Sequence, residues 1–138
     1  MKKLISVIVP CYNEQDVLHL FYDEISFVAG KMSAYDFEFI FVNDGSRDNT
    51  LKICKELAAK DERVKYISFS RNFGKEAGIY AGFEKAKGDL VCMMDADLQD
   101  DIDAVDKFVE EYKNGADIVY GVRSSRKTDT AFKRSTAL

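Results

Sequence analysis

Short apolar runs alternate with amphipathic stretches along this chain. The runs at 4–9 (LISVIV), 37–42 (FEFIFV), 64–69 (VKYISF), 90–94 (LVCMM) and 118–122 (IVYGV) have strand length and strand composition. Such runs predict strands buried on both faces. Between them, 14–31, 49–60, 75–87 and 101–114 carry apolar residues at helical spacing. Leu51, Cys54, Leu57 and Ala58 form one stripe, and Val105, Phe108, Val109 and Tyr112 another. Gly88 and Gly115 stand where helix C-caps are expected. The order βαβαβαβαβ predicts an α/β fold with a parallel, doubly wound sheet, the run at 118–122 being its fifth strand.

The first four strands each empty into a polar loop. These are PCYNE (10–14), NDGS (43–46), SRNFGKE (70–76) and DADLQD (95–100). In a parallel sheet all four loops share one edge, and ligands bind outside the carboxyl ends of the strands. The polar residues of four separate segments therefore converge on one cleft.

The fourth loop carries the most charge. Asp95 and Asp97 lie two apart at the end of a hydrophobic strand, so both side chains can serve one ion. Hard carboxylate oxygens suit Mg²⁺ or Mn²⁺, and with a single histidine and no Cys/His cluster zinc is disfavoured. Mg²⁺ commonly bridges carboxylates to a substrate's phosphates, so the pattern suggests a diphosphate ligand. Asp100 and Asp101 read instead as caps for the next helix. In NDGS, Asp44 is a candidate acceptor for a base or ribose, although the tetrapeptide also has plain turn chemistry. Ser46 or Asp48 is expected to cap the following helix. Gly74 would allow close backbone approach, while Arg71 and Lys75 either counter phosphate charge or form a solvated basic loop.

Composition narrows the classes. A chain of 138 residues is one domain's worth, and a formal charge of −4 argues against a nucleic-acid partner. No apolar run approaches a membrane span, and the segment after Met1-Lys2-Lys3 is too short for a signal peptide. Three cysteines without a CxxC pair fit a reduced, cytoplasmic setting. His19 is expected at the surface, and Cys92, Met93 and Met94 in the core. Neither a nucleophile triad, nor a P-loop, nor a GxGxxG after the first strand is present.

Three segments together, SVIVPCYNE, FVNDGSRDNT and GDLVCMMDADLQD, resemble glycosyltransferase family 2, the inverting GT-A type. The stretch SRNFGKEAGIYAGFEKAKGD, with DADLQD and YGVRSSR…FKR, resembles its polyprenyl-phosphate branch, which includes dolichol-phosphate mannose synthase. The resemblance implies a Rossmann-like nucleotide-diphospho-sugar transferase fold and a nucleotide-sugar donor, with UDP favoured. It implies that Pro10, Tyr12 and Glu14 line the nucleotide pocket with Lys75, and that Asp44 reads the base. Asp95 would approach the ribose or metal, with Asp97 and Gln99 holding a divalent ion. Arg123, Arg126 and Arg134, with Arg71, would meet diphosphate or acceptor phosphate. Where the family usually has DLQDPPE, this chain has DLQDDID, so the turn lacks its prolines while the aspartate pair is kept.

The expected reaction is a metal-assisted inverting displacement onto an undecaprenyl or dolichyl phosphate. A phosphate acceptor is largely dianionic at neutral pH and needs no general base, and no residue here clearly supplies one. Transfer to a saccharide hydroxyl is the alternative within the class. A haloacid-dehalogenase-like phosphatase and a non-catalytic nucleotide-binding module are the rivals outside it. Residues 1–122 read as the nucleotide-sugar-binding core and 123–138 as a basic segment leading toward acceptor-side elements. The full-length protein is expected to be anchored at the cytoplasmic face of a membrane through residues beyond this chain, which by itself is expected to be soluble. Homo-oligomerisation stays open.

Overall fold

In a computed structural model of the chain, residues 2–96, 109–110, 118–123 and 130–135 are described. Four strands form one parallel sheet: β1 (Lys3–Cys11), β2 (Tyr35–Asn43), β3 (Val64–Ser68) and β4 (Leu90–Met93), in the order β3-β2-β1-β4. Three helices connect them: α1 (Leu18–Lys31), α2 (Thr50–Lys60) and α3 (Lys75–Lys85).

The strand alternation decides which helix covers which face. Odd-numbered residues of β1 and β2 (Ile5, Val7, Val9, Phe37, Phe39, Phe41) pack in one core with Leu18, Phe21, Ile25 and Val28 of α1 and Ile53, Cys54 and Leu57 of α2. Even-numbered Ile8, Ile40 and Val42 form a smaller core on the opposite face. There α3 lies close to the sheet, because it presents glycine. A Cβ on Gly82 would stand 2.5 Å from Ile8 Cγ2, and one on Gly78 3.4 Å from Val42.

The chain therefore runs β1→β2→β3 along one face through α1 and α2. It then crosses behind the sheet through α3 to lay β4 on the other side of β1. The strand order reverses between β1 and β4, and at such a switch point the loops diverge and open a crevice. Pro10 contributes to the opening. Ile8 accepts from Met94 N–H at 2.9 Å, so position 8 faces β4 and so does position 10. The Pro10 nitrogen has no hydrogen to give, and the register between β1 and β4 ends at Ile8↔Met93.

The sequence expectations need four corrections. The fifth strand, β5 (Ile118–Arg123), does not extend the parallel sheet. It pairs antiparallel with β6 (Thr130–Ser135), a strand read from sequence only as a basic segment, and this pair straddles the division drawn at 122/123. An apolar run identifies a strand but not its neighbour, and β6 (TAFKRS) is too polar to stand out. The amphipathic pattern from residue 14 begins as a turn, with Val17 and Leu18 N–H both donating to the Glu14 carbonyl, before α1 starts. Met93 is 37% exposed, because it shares the face of Val91 at the sheet edge while Cys92 and Met94 point into the core. Gly88 does not cap α3, which ends at Lys85 with an extended Ala86. It is there for space: a Cβ would lie 2.5 Å from Ser6 Oγ and 2.8 Å from the Leu4 carbonyl. Of the helix expected at 101–114, Val109 and Glu110 are helical and Val109 is buried.

Candidate active site

Two loops at the carboxyl edge are laced together by side chains. Asn13, at φ 54°, turns the loop after β1, and its side-chain Oδ1 accepts from Arg47 N–H at 2.9 Å. Ser46 Oγ accepts from Asn13 N–H at 2.9 Å, and Thr50 Oγ1 from Glu14 N–H at 2.8 Å. Gln15 and Asp48 complete the exchange, Asp48 Oδ2 accepting from Gln15 N–H and Gln15 Oε1 from Asn49 N–H. Neither expected residue is the N-cap of α2, which is Asn49 with no side-chain cap bond; Asp48, one residue earlier, accepts Thr50 N–H on Oδ1 at 2.9 Å, and Ser46 holds the neighbouring loop. Small polar side chains here satisfy backbone donors that no helix or strand reaches.

Behind these loops lies a cleft of about 450 Å³, lined by Pro10, Cys11, Tyr12, Glu14, Asp44, Asn72, Gly74, Lys75 and Asp95. Six expected site residues (Pro10, Tyr12, Glu14, Asp44, Lys75 and Asp95) meet there, from four separate chain segments. Arg71 is exposed outside the lining, its guanidinium 5.1 Å from the Phe73 ring centroid. Asp97, Gln99 and Arg126 lie outside the described residues. Arg123 is the last residue of β5, paired with Thr130, and Arg134 is on β6 opposite Val119.

The cleft has a definite electrostatic centre. Lys75 Nζ, at the start of α3, stands 2.7 Å from Asp95 Oδ1, with the two side chains 54% and 19% exposed. This carboxylate already holds a cation and is reachable from solvent. It fits a divalent metal in donor type, although no group of three metal-ligating side chains occurs among the described residues.

Asp44 is 5% exposed, and its oxygens accept from Phe73 N–H (2.7 Å), Gly74 N–H (2.9 Å) and Asn72 Nδ2 (3.1 Å). Tyr12 is 43% exposed and is the one aromatic side chain among the lining residues of the cleft. The Cys11 thiol donates to the Val9 carbonyl, and a hydrogen bond with Cys54 together with burial pushes its pKa up, so it stays a neutral thiol. Cys92 is likewise raised, to about 12, by burial. His19 is exposed on α1. Sequence reading missed Cys11, Asn72 and the Asn13–Thr50 lacing. For Asn72 a signal existed: it sits beside Gly74 in a polar loop at a strand end.

The Glycosyl transferase family 2 profile matches residues 6–137. The chain belongs to this family. It is 49% identical over 132 residues to the putative glycosyltransferase CsbB of Bacillus subtilis, covering 96% of this chain and 39% of that protein. Against the bactoprenol glucosyl transferase of Shigella phage SfV it is 42% identical over 133 residues, covering 96% of this chain and 43% of the relative. The chain thus spans about two-fifths of these curated relatives. Among solved structures, the mannosyltransferase PcManGT from Pyrobaculum calidifontis, in complex with GDP-Man and Mn²⁺, superimposes with a TM-score of 0.72. At 21% identity, over 86% of this chain and 35% of that one, this likeness shows the GT-A fold. Among the described residues, no helix of this family 2 chain is long and apolar enough to cross a membrane.

Proposed function

We propose that this chain is the donor-binding part of a glycosyltransferase that moves a sugar from a nucleoside-diphosphate sugar, with UDP favoured, to a polyprenyl phosphate. The observation that carries the donor half is the convergence of Pro10, Tyr12, Glu14, Lys75 and Asp95 on one cleft at the β1/β4 switch point. The acceptor half is supported by the bactoprenol glucosyl transferases among the relatives. Tyr12 offers a ring face to a base, the Lys75 ammonium meets diphosphate oxygens, and Asp95 faces the same space.

Asp95, with Asp97 and Gln99, would hold Mg²⁺ or Mn²⁺. The bound ion would neutralise charge growing on the departing nucleoside diphosphate. Lys75 starts on Asp95, so its ammonium is free to move toward the diphosphate once another cation takes that carboxylate. Arg71, Arg123, Arg126 and Arg134 are assigned to phosphate on the donor or acceptor. With a membrane-held acceptor and a nucleotide-sugar donor, the full-length protein is assigned to the cytoplasmic face of a membrane.

The test is thermal unfolding with UDP or GDP, each with Mn²⁺ or with a chelator. A ligand that binds only the folded state stabilises it by about 2.7 kcal/mol at a hundredfold excess over Kd. Nucleotide with Mn²⁺ should raise Tm clearly, nucleotide with chelator much less, and UDP should exceed GDP. Asp97→Asn should abolish the metal-dependent part. A full Mn²⁺-dependent shift in that variant would return Asp97 to a helix-capping role.

A further inference from the structure

One side of the cleft's rim is aromatic and basic. Phe69, packed against the small core under α3, meets the Phe73 ring edge-to-face with 5.6 Å between centroids. The Arg71 guanidinium lies over the same ring, 5.1 Å from its centroid. Arg71 takes no part in the ion pairs among the described residues. Phe73 is 55% exposed, and its loop is pinned. Its N–H donates to Asp44 Oδ1 at 2.7 Å, and the 43–46 turn lies so close that a Cβ on Gly45 would collide with the Arg71 carbonyl carbon. Gly74, at φ 104°, then turns the chain directly into α3. A large apolar ring is thus held exposed between Asn72 and Gly74, two residues that line the cleft.

A single exposed phenylalanine is ordinary, so the surroundings carry the argument. Phe27 on α1 is the comparison: it is 66% exposed and has Lys31 Nζ 4.9 Å from its ring centroid. Phe27, however, shares a surface hollow with Asp23 and Glu24, on a helix that covers the other face of the sheet. Those carboxylates repel an anionic surface. Beside Phe73 the nearest acidic residue along the chain is Glu76, in the first turn of α3, where the positive end of the helix offsets its charge. Tyr80 and Phe83, also exposed, lie further along α3, away from this edge. We infer that the Phe69–Phe73–Arg71 stack is a bilayer-docking rim: Phe73 enters the interfacial layer, and Arg71 meets the phosphate of a lipid phosphomonoester beside the donor cleft. The inference rests on the acceptor half of the function proposed above, which needs a lipid phosphate within reach of a donor held in water. A ring in the interface and a guanidinium at headgroup level meet that need.

The chain has no tryptophan, so one placed at position 73 or 27 reports its own surroundings. With vesicles of phosphatidylcholine and phosphatidic acid in excess, the emission of Phe73→Trp should shift to the blue and be quenched by brominated acyl chains. Phe27→Trp should show neither effect. Arg71→Gln in the Phe73→Trp background should lower vesicle partitioning about fivefold, the effect of one basic residue near an anionic surface. Phe73→Ser should lower co-sedimentation of the chain with these vesicles about tenfold, with UDP–Mn²⁺ binding unchanged. Glycerol phosphate without vesicles should leave the Phe73→Trp emission where it is. A shift there would make the stack a site for soluble phosphate and overturn the inference. Equal insertion at 73 and 27, or none at 73, would overturn it too. A chain that inserts at 73 but takes up no UDP–Mn²⁺ would refute the donor reading instead and leave the docking rim standing.

Discussion

Two lysine–carboxylate pairs sit at opposite edges of the sheet and share nearly one geometry. At the amino edge, Lys65 Nζ lies 2.8 Å from Glu38 Oε1; at the carboxyl edge, Lys75 Nζ lies 2.7 Å from Asp95 Oδ1. Their surroundings differ. Glu38 is 2% exposed, and it also accepts from Ser6 Oγ at 2.5 Å and Lys87 N–H at 2.7 Å. Ser6 Oγ in turn accepts from Gly88 N–H at 2.8 Å, so the network ties the segment leaving α3 to β1 and β2. Every bond is to a neighbour in the fold. The Asp95 pair instead lies in an open cleft with a half-exposed lysine. One pair is cement and the other is replaceable, and burial decides which.

The largest effect should come from breaking the buried pair. Glu38→Ala strips Ser6, Lys65 and the Lys87 amide of their acceptor at once and should cost about 3 kcal/mol in urea unfolding. The same group gives a pH signature. Burial pushes the Glu38 pKa up, but the Lys65 ammonium, the Lys87 N–H and the Ser6 hydroxyl together outweigh it, leaving a net lowering below the usual 4.5. The folded carboxylate thus releases its proton at lower pH than the unfolded one. Its stabilisation is present above pH 4.5 and fades as pH falls through the folded value. Glu38→Gln should therefore lose most stability near neutrality and least in acid, and a parent-minus-variant Tm difference that grew on acidification would refute this sign.

Next in size is the close approach of α3 to the sheet. Gly82→Ala forces a methyl against Ile8 and should cost about 2 kcal/mol through overpacking. Gly30→Ala, with nothing within 4 Å of its Cβ, is the control and should be neutral or slightly stabilising.

Smallest is the pair in the cleft. Lys75→Met should change the unliganded stability by about 0.5 kcal/mol or less, since an ion pair whose lysine is half-exposed is largely screened by solvent. If it cost as much as Glu38→Ala, the two pairs would be alike and the contrast between the edges would fail.

Much of this was legible in the residues. The polar loops PCYNE, NDGS, SRNFGKE and DADLQD end four runs that do form strands, and the parallel pairing does bring their residues to one cleft. Glu38 was not legible, because one acidic residue in FEFIFV gives no sign of whether it meets solvent or a lysine from another strand. Nor was the antiparallel partner of β5, since periodicity carries no information about direction or neighbour.

What the sequence by itself determined is local and periodic. Apolar runs of strand length must be buried, stripes at helical spacing must face a sheet, and a proline at position 10 cannot donate to a ladder. These features bring the acidic and basic loops to one edge. What only the tertiary structure decided is pairing between residues far apart in the chain. Asp44 grips Phe73 and Gly74, Lys75 finds Asp95, and Glu38 finds Ser6, Lys65 and Lys87. The physical reason is that a hydrogen bond or ion pair depends on ångström-scale distance and on exclusion of water, and both are set by how the sheet and α3 pack.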